Sequence, residues 1–184
     1  MLVLHYDVTS PSSAVALLRL QPLADAGGRV GFNGFDALGL EISVPPTLPL
    51  LEELRHESER AGELGLPMRR PTRQPPTLRF HLLGELAAAY ELGAAWRMAG
   101  LRAYWSEDLD VDDRGVLIDL AVAIGLDRDT VEGRLDDRRE LLELRNRMTA
   151  QRRRGLGGVP VLEADGTFVP ADLSEADLRQ LAHL

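Results

Sequence analysis

The segment Ser10-Pro11-Ser12-Ser13 carries residue types and a spacing that could do chemistry. A serine followed by proline opens many helices, because the hydroxyl caps the first turn and proline suits the first helical position. A helix start also presents unpaired N–H groups and a positive partial charge, which stabilise an anion placed there. Ser10 could therefore be an ordinary helix cap, or it could donate a hydrogen bond to an anionic group, and the two roles are compatible.

The chain of 184 residues contains no cysteine. Disulfide exchange needs a thiolate that attacks sulfur, and a serine hydroxyl cannot take its place because the pKa of the hydroxyl is far higher. Dithiol–disulfide exchange, disulfide bonds and cysteine metal sites are therefore excluded. A thiolate beside Ser10 would have to come from a second molecule. The helix start would lower the pKa of that thiol from about 8.5 towards neutrality, and the thiolate would then be the nucleophile.

Arg69, Arg70 and Arg73 lie in a loop where prolines and arginines alternate. Such a group could hold a carboxylate of a ligand, or it could be a solvated basic loop in an acidic protein. The histidines are His5, His56, His81 and His183. None has metal-ligand spacing with another histidine or with a carboxylate, so we expect no metal site.

The chain has 29 Asp and Glu residues and 21 basic residues, so its formal net charge is −8. This balance disfavours nonspecific binding to nucleic acid. The sequence has no run of about 18 apolar residues, so no membrane span is expected. Its first residues lack the basic and apolar regions of a secretion signal, and we expect a cytoplasmic protein.

The elements around Ser10 predict a β-α-β unit. Residues 2–8 are a short apolar run typical of a buried strand. The helix that follows Ser10 carries Val15 and Leu18 at helical spacing, and Pro22 and then Gly27-Gly28 are expected to end it. Residues 30–38 alternate loosely between apolar and polar types and predict a second strand.

A block of about five helices is predicted between residues 46 and 154. The ranges are 50–64, 78–90, 94–105, a helix capped by Asp112 or Asp113, and a long charged helix from 127 to about 154. The second of these places Leu78, Leu82 and Leu86 on one face, which is typical of a helix that packs against a core.

Strand character returns after residue 155. Residues 161–163 and 167–169 predict two short strands joined by a turn, and Ser174 is expected to cap a final helix. The order β-α-β, helical block, β-β-α predicts an α/β protein with helices on both faces of a mixed sheet. We expect one domain made of residues 1–45 and 155–184, with residues 46–154 as an inserted helical domain.

Two segments in this order resemble the DsbA-like branch of the thioredoxin fold. Residues 6–13 resemble the strand-to-helix segment in which the redox members carry Cys-Pro-x-Cys, and Gly157-Gly158-Val159-Pro160 resembles the segment that holds their cis-proline. The helical block is similar to that of the FrnE subfamily. The resemblance implies a thioredoxin fold with an all-helical insertion, in a family of oxidoreductases, and it favours a cis bond before Pro160.

The serines of residues 10–13 match the Ser-Pro-x-Ser pattern of 2-hydroxychromene-2-carboxylate isomerases and kappa-class glutathione transferases. The resemblance implies that Ser10 is the catalytic residue that faces the thiol of glutathione, and that the backbone of Val159 pairs with the glutathione chain. It assigns binding of the thiol cofactor to Ser13, Val159, Pro160, Ser174 and Glu175. Because the chain has no lysine, a carboxylate would be held by Arg69, Arg70 and Arg73.

The leading function is an isomerase or transferase that depends on glutathione or another low-molecular-weight thiol. Its substrate would be an aromatic or carboxylated small molecule, and the resemblance also allows a homodimer. The alternative is a non-catalytic thioredoxin-fold binding protein that lost its cysteines and kept the peptide groove beside Pro160. The sequence alone leaves both functions open.

Overall fold

A four-stranded mixed sheet lies at the centre of the computed structural model, which describes residues 1–183. Its strands are β1 (Leu2–Tyr6), β2 (Val30–Gly34), β3 (Val161–Ala164) and β4 (Thr167–Pro170), in the order β2-β1-β3-β4. β1 is parallel to β2 and antiparallel to β3, and β3 is antiparallel to β4. The β-α-β and β-β-α units therefore join along β1 and β3, which confirms the predicted α/β thioredoxin topology.

The helices within residues 1–183 are α1 (Pro11–Asp25), α2 (Leu48–Glu63), α3 (Leu78–Ala89), α4 (Gly93–Leu101), α5 (Arg114–Ala123), α6 (Arg128–Asp136), α7 (Arg138–Arg153) and α8 (Glu175–Leu181). A π-helical turn, Arg102–Ser106, continues α4. Each predicted helix is present. None of them has the length and apolar character needed to cross a membrane, as far as residues 1–183 are concerned.

Two predicted helix boundaries differ from the structure. Pro22 does not end α1, which continues to Asp25, and the helix stops just before the predicted Gly27-Gly28 pair, where Gly27 takes the left-handed conformation at φ 91°. The long helix predicted from 127 to 154 is two helices, because Asp137 leaves the helical conformation with ψ 93°. The carboxylate of Asp137 then accepts hydrogen bonds from the N–H groups of Arg139 and Glu140 and caps α7.

β1 and β2 are shorter than predicted, whereas β3 and β4 are each one residue longer. β1 ends at Tyr6 rather than at residue 8, because the chain turns there: the N–H of Ser10 bonds to the carbonyl of Asp7 at 3.1 Å. β2 ends at Gly34, and the side chain of His81 lies so close that a Cβ at this position would be 2.2 Å from His81 Nδ1. Glycine is therefore required where α3 packs against the end of β2.

The largest buried side chains belong to the helical block. Trp96 stacks on Phe80 at 4.8 Å, and its indole N–H donates to the Phe80 carbonyl at 3.1 Å. Trp105, in the π-helical turn, is also fully buried and donates its indole N–H to the carbonyl of Val8 at 2.9 Å. Because Val8 lies between β1 and α1, this bond fixes the helical block against the loop that leads to Ser10.

Candidate functional site

Ser10 caps α1, as the sequence predicts. Its backbone is extended, and its Oγ accepts a hydrogen bond from the N–H of Ser13 at 3.2 Å. Pro11 is the first residue of the helix and has no N–H to satisfy. The side chain of Ser10 is half-buried, so its hydroxyl is not enclosed in the core.

A carboxylate from α2 lies directly at the start of α1. Glu53 Oε1 accepts a hydrogen bond from the Ser10 hydroxyl at 3.2 Å and another from the Ser12 N–H at 3.0 Å. The position therefore binds an anion, and that anion belongs to the chain itself. Sequence reasoning missed Glu53, because it lies 43 residues from Ser10 in a helix rich in charge, where no local pattern distinguishes it.

The Val159–Pro160 peptide bond is cis, which confirms the expectation. Pro160 borders a cavity of about 280 Å³ whose walls include Ser12 and Val15 of α1 and Ala171 beyond β4. The start of α1 and the segment before β3 thus face one cavity, although they are distant in sequence. This is the arrangement expected from the two segments that carry the resemblance.

Charged side chains surround this cavity. Arg19 donates to Glu175 at 2.8 Å and to the Leu173 carbonyl at 2.6 Å, and Arg60 donates to Glu57 and Asp172, each at 3.2 Å. Arginine and carboxylate groups therefore alternate along the rim. A ligand that carries both an ammonium group and a carboxylate would find opposite charges there.

The other predicted thiol-binding residues occupy different surroundings. Ser13 is fully buried, and its hydroxyl accepts the Asp7 N–H at 3.3 Å. Ser174 is exposed and caps α8 by accepting the N–H of Asp177 at 3.1 Å. Glu175 follows it and is bound to Arg19, so Glu175, but not Ser13, lies near the rim of the cavity.

A buried polar cluster lies beneath the loop between β1 and α1. Asp7 is 2% exposed, and its carboxylate accepts hydrogen bonds from the N–H of Ala37 at 2.9 Å and from the hydroxyl of Thr77 at 3.2 Å. The ring of His81 lies 3.5 Å from the same carboxylate. Burial and the charge of Asp7 raise the pKa of Asp36. Burial raises the pKa of Tyr6 to about 12, so this phenol stays protonated.

The predicted arginine group lies away from the Pro160 cavity. Arg69, Arg70 and Arg73 are all exposed, and Arg73 is paired with Asp110 at 3.3 Å. Arg70 borders an open groove on the outer side of α2, whereas Arg73 borders a different one beside Val44. Among residues 1–183, the walls of the Pro160 cavity contain Arg19 and Arg60 but none of these three.

A second cavity of about 280 Å³ lies between α3, α7 and the loop after β2, where Leu78, Leu141 and Arg145 contribute to its walls. We place the candidate site at Pro160 instead, because Ser12 at the start of α1 and the paired charges of Arg19 and Arg60 border that cavity. Within the described part of the chain, no group of three or more His, Asp or Glu side chains could hold a metal ion.

The comparisons with solved structures agree on the fold. A probable DsbA oxidoreductase from Streptomyces coelicolor, SCO1869, is 22% identical and superimposes with a TM-score of 0.80, over 98% of this chain and 88% of the other. A 2-hydroxychromene-2-carboxylate isomerase is 22% identical, with a TM-score of 0.73 over 98% and 91% of the two chains. The cytosolic disulfide reductase DsbM from Pseudomonas aeruginosa with GSH is 19% identical, with a TM-score of 0.70 over 99% and 96%.

The comparison with family models identifies the family. No curated protein sequence gives a significant match. The model of the DSBA-like thioredoxin domain, however, matches residues 1–182, nearly the whole chain. Since the fold, the cis-proline and this match agree, the chain belongs to the DsbA-like thioredoxin family and is a member without cysteine.

Proposed function

We propose that the protein is an isomerase or transferase that depends on a low-molecular-weight thiol, with the thiolate bound at the start of α1. The observation that carries this proposal is the convergence of the Ser10 hydroxyl and the Ser12 N–H on one anionic oxygen, Glu53 Oε1. Two donors aimed at one anion, at the positive end of a 15-residue helix, are suited to a thiolate. The family's dithiol exchange is excluded because the chain has no cysteine.

The residues of this chain would bind and orient the thiol. When bound, the thiol supplies the nucleophile that attacks an electrophilic substrate. Ser10 donates its hydroxyl proton in a hydrogen bond, Ser12 donates its N–H, and the helix dipole favours the ionised form. The backbone of Val159 pairs with an extended thiol-bearing chain. Arg19 and Arg60 at the cavity rim offer charges for its carboxylates.

Two structural neighbours support the choice of ligand. One is a 2-hydroxychromene-2-carboxylate isomerase, and another, DsbM, was solved with GSH. Both superimpose on nearly all of this chain. We propose a thiol ligand for this protein as well, because Pro160, the start of α1 and paired charges all border one cavity. Glutathione is therefore the first thiol to test.

A second candidate function is a non-catalytic binding protein that holds an extended peptide beside Val159. The observation that favours it is that the first N–H groups of α1 already have hydrogen-bond partners within the chain. The Ser12 N–H already bonds to Glu53, and the Ser13 N–H already bonds to Ser10 Oγ. A peptide paired with the Val159 backbone would need neither of these donors.

Replacement of Ser10 by alanine separates the two functions. We expect Ser10→Ala to lower the thiol-dependent turnover of an aromatic electrophile by about 100-fold at saturating glutathione, because one donor to the thiolate is lost. It should also lower the free energy of unfolding by about 1 kcal/mol through loss of the cap. Ser10→Thr keeps a hydroxyl and should retain most of the turnover. The measurement is kcat/KM for the electrophile.

Ser12→Ala is the matched control, since this hydroxyl donates a hydrogen bond to Glu57 at 3.5 Å, not to Glu53, and the substitution keeps the backbone N–H. Its turnover should stay near that of the unmodified protein. Peptide binding that is indifferent to thiol, together with no thiol-dependent turnover in any variant, would contradict the enzymatic proposal and support the binding protein.

A further inference from the structure

Every backbone donor in the first turn of α1 already has a partner. Pro11 has no N–H, the Ser12 N–H bonds to Glu53, and the Ser13 N–H bonds to Ser10 Oγ. The next N–H, that of Ala14, bonds to the Ser10 carbonyl at 3.0 Å within the helix. A helix start normally leaves its first N–H groups for water, a cap or a ligand. Here no donor is left over for an external anion.

We propose that Glu53 is an internal anion that competes with the thiolate for the start of α1 and so determines the thiol affinity of the site. This inference rests on the proposed function. The thiolate and the Glu53 carboxylate require the same two donors, the Ser10 hydroxyl and the Ser12 N–H. Two negative charges that share the same two donors would repel each other in this half-buried position, so the site holds one anion at a time.

The position of Glu53 allows this exchange without movement of α2. Its side chain is half-buried, and its neighbours one residue and one turn along the helix, Leu54 and Leu50, are buried in the core and hold α2 in place. Glu57, one turn further on, remains bound to Arg60. A change of the Glu53 rotamer would release both donors at once, and the thiolate would replace a carboxylate with no change in the charge of the site.

The competition predicts that the resting protein has a weak affinity for thiols. Each thiol that binds as an anion must first break two hydrogen bonds to a charged acceptor, which are stronger than bonds to a neutral one. A ligand whose sulfur cannot ionise gains nothing from the removal of Glu53, because its sulfur does not need an anion site. Glu53 therefore selects ligands by charge, apart from any role of Ser10.

The test is the affinity for glutathione of Glu53→Gln, with S-methylglutathione as the analogue that cannot form a thiolate. The amide has nearly the shape of the carboxylate but no charge, so the thiolate should displace it more easily. We expect Glu53→Gln to bind glutathione about tenfold more tightly than the unmodified protein by calorimetric titration, and S-methylglutathione with unchanged affinity. The pH above which bound glutathione ionises should also fall.

Glu52→Gln is the matched control. Glu52 is the neighbour of Glu53 on α2, its side chain is exposed, and it does not border the Pro160 cavity. This variant should bind glutathione within about twofold of the unmodified protein, since the two donors remain occupied by Glu53. Circular dichroism spectra and the melting temperature of each variant establish that the fold is kept.

A small anion tests the occupancy of the site without a thiol. Glu53→Ala leaves both donors free, so formate should raise its melting temperature with rising concentration, whereas formate should not stabilise the unmodified protein. Equal glutathione affinities for the unmodified protein and Glu53→Gln, or no effect of formate on Glu53→Ala, would overturn this inference while the thiol function stands. Absence of glutathione binding in all variants would instead refute the thiol function, and with it the competition.

Discussion

Asp36 shows how burial of a single residue makes stability depend on pH. Its carboxyl is 7% exposed, and burial followed by the charge of Asp7 raises its pKa, against the opposing effects of the Gly39 N–H, His81 and Arg152. The folded protein therefore holds this proton at a pH where the unfolded chain has released it. The Asp36 contribution to the free energy of unfolding then decreases as the pH rises from about 4 towards the raised pKa.

We predict that Asp36→Asn removes this pH-dependent decrease in the free energy of unfolding. The amide still accepts the Gly39 N–H, which bonds to Asp36 at 2.8 Å, but it carries no charge. The stability of Asp36→Asn relative to the unmodified protein should increase as the pH rises from about 4 towards neutrality. Urea unfolding at several pH values measures it. Asp165→Asn, a change at a side chain that is 98% exposed, is the control and should show no such trend. If the difference in unfolding free energy between Asp36→Asn and the unmodified protein does not change with pH, the raised pKa of Asp36 is contradicted.

At the residue scale, local chemistry could be predicted and long-range contacts could not. Ser10 has a proline after it and a hydroxyl of its own, so its capping bond to Ser13 follows from neighbours in sequence. Glu53 is one of many acidic residues, and only the packing of α2 on α1 brings it to Ser10. The need for glycine at position 34 likewise arises from His81, which is 47 positions away in the sequence.

Among the elements, the break between α6 and α7 depends on one side chain. Asp137 ends α6 and caps α7 through bonds of 2.9 and 3.1 Å to two backbone N–H groups. We predict that Asp137→Ala lowers the free energy of unfolding by about 1 kcal/mol, because these N–H groups lose their acceptor. Urea unfolding followed by circular dichroism measures the change.

Its neighbour Asp136 gives the matched control. This carboxylate makes an exposed ion pair with Arg114 at 2.8 Å and caps no helix. Asp136→Ala should therefore have a smaller effect, near the typical 0–1 kcal/mol of an exposed pair. If the two substitutions destabilise the protein equally, the cap is not what separates α6 from α7.

The order of the elements could be predicted more reliably than their ends. Helical spacing and turn residues indicate each helix and strand, because these signals are local. The ends depend on competing interactions. Pro22 lies within α1, which continues to Asp25. The apolar stripe of residues 127–154 continues across Asp137, which hides the break. The spacing of apolar residues therefore does not reveal that one capping residue divides the helix.

At the scale of the molecule, one hydrophobic core contains side chains of the sheet and of the helical block. A continuous cluster of buried side chains includes Leu4 of β1, Leu17 of α1 and Leu162 of β3, together with Trp96 and Trp105 of the helical block. Sequence patterns predicted the α/β sheet and the helical block, but not how closely they pack. Such packing favours unfolding as a single unit.

Trp105→Phe tests whether the sheet and the helical block unfold together. The indole N–H of Trp105 donates to the Val8 carbonyl and so joins the helical block to the loop before Ser10. Loss of the donor leaves a buried carbonyl unpaired, and we predict a fall of about 1–3 kcal/mol in the free energy of unfolding. Trp96 then remains as the one tryptophan, and it lies in the helical block. Its fluorescence and the hydrogen exchange of β1 should report the same transition in urea. Two separate transitions would show that the sheet and the helical block unfold independently.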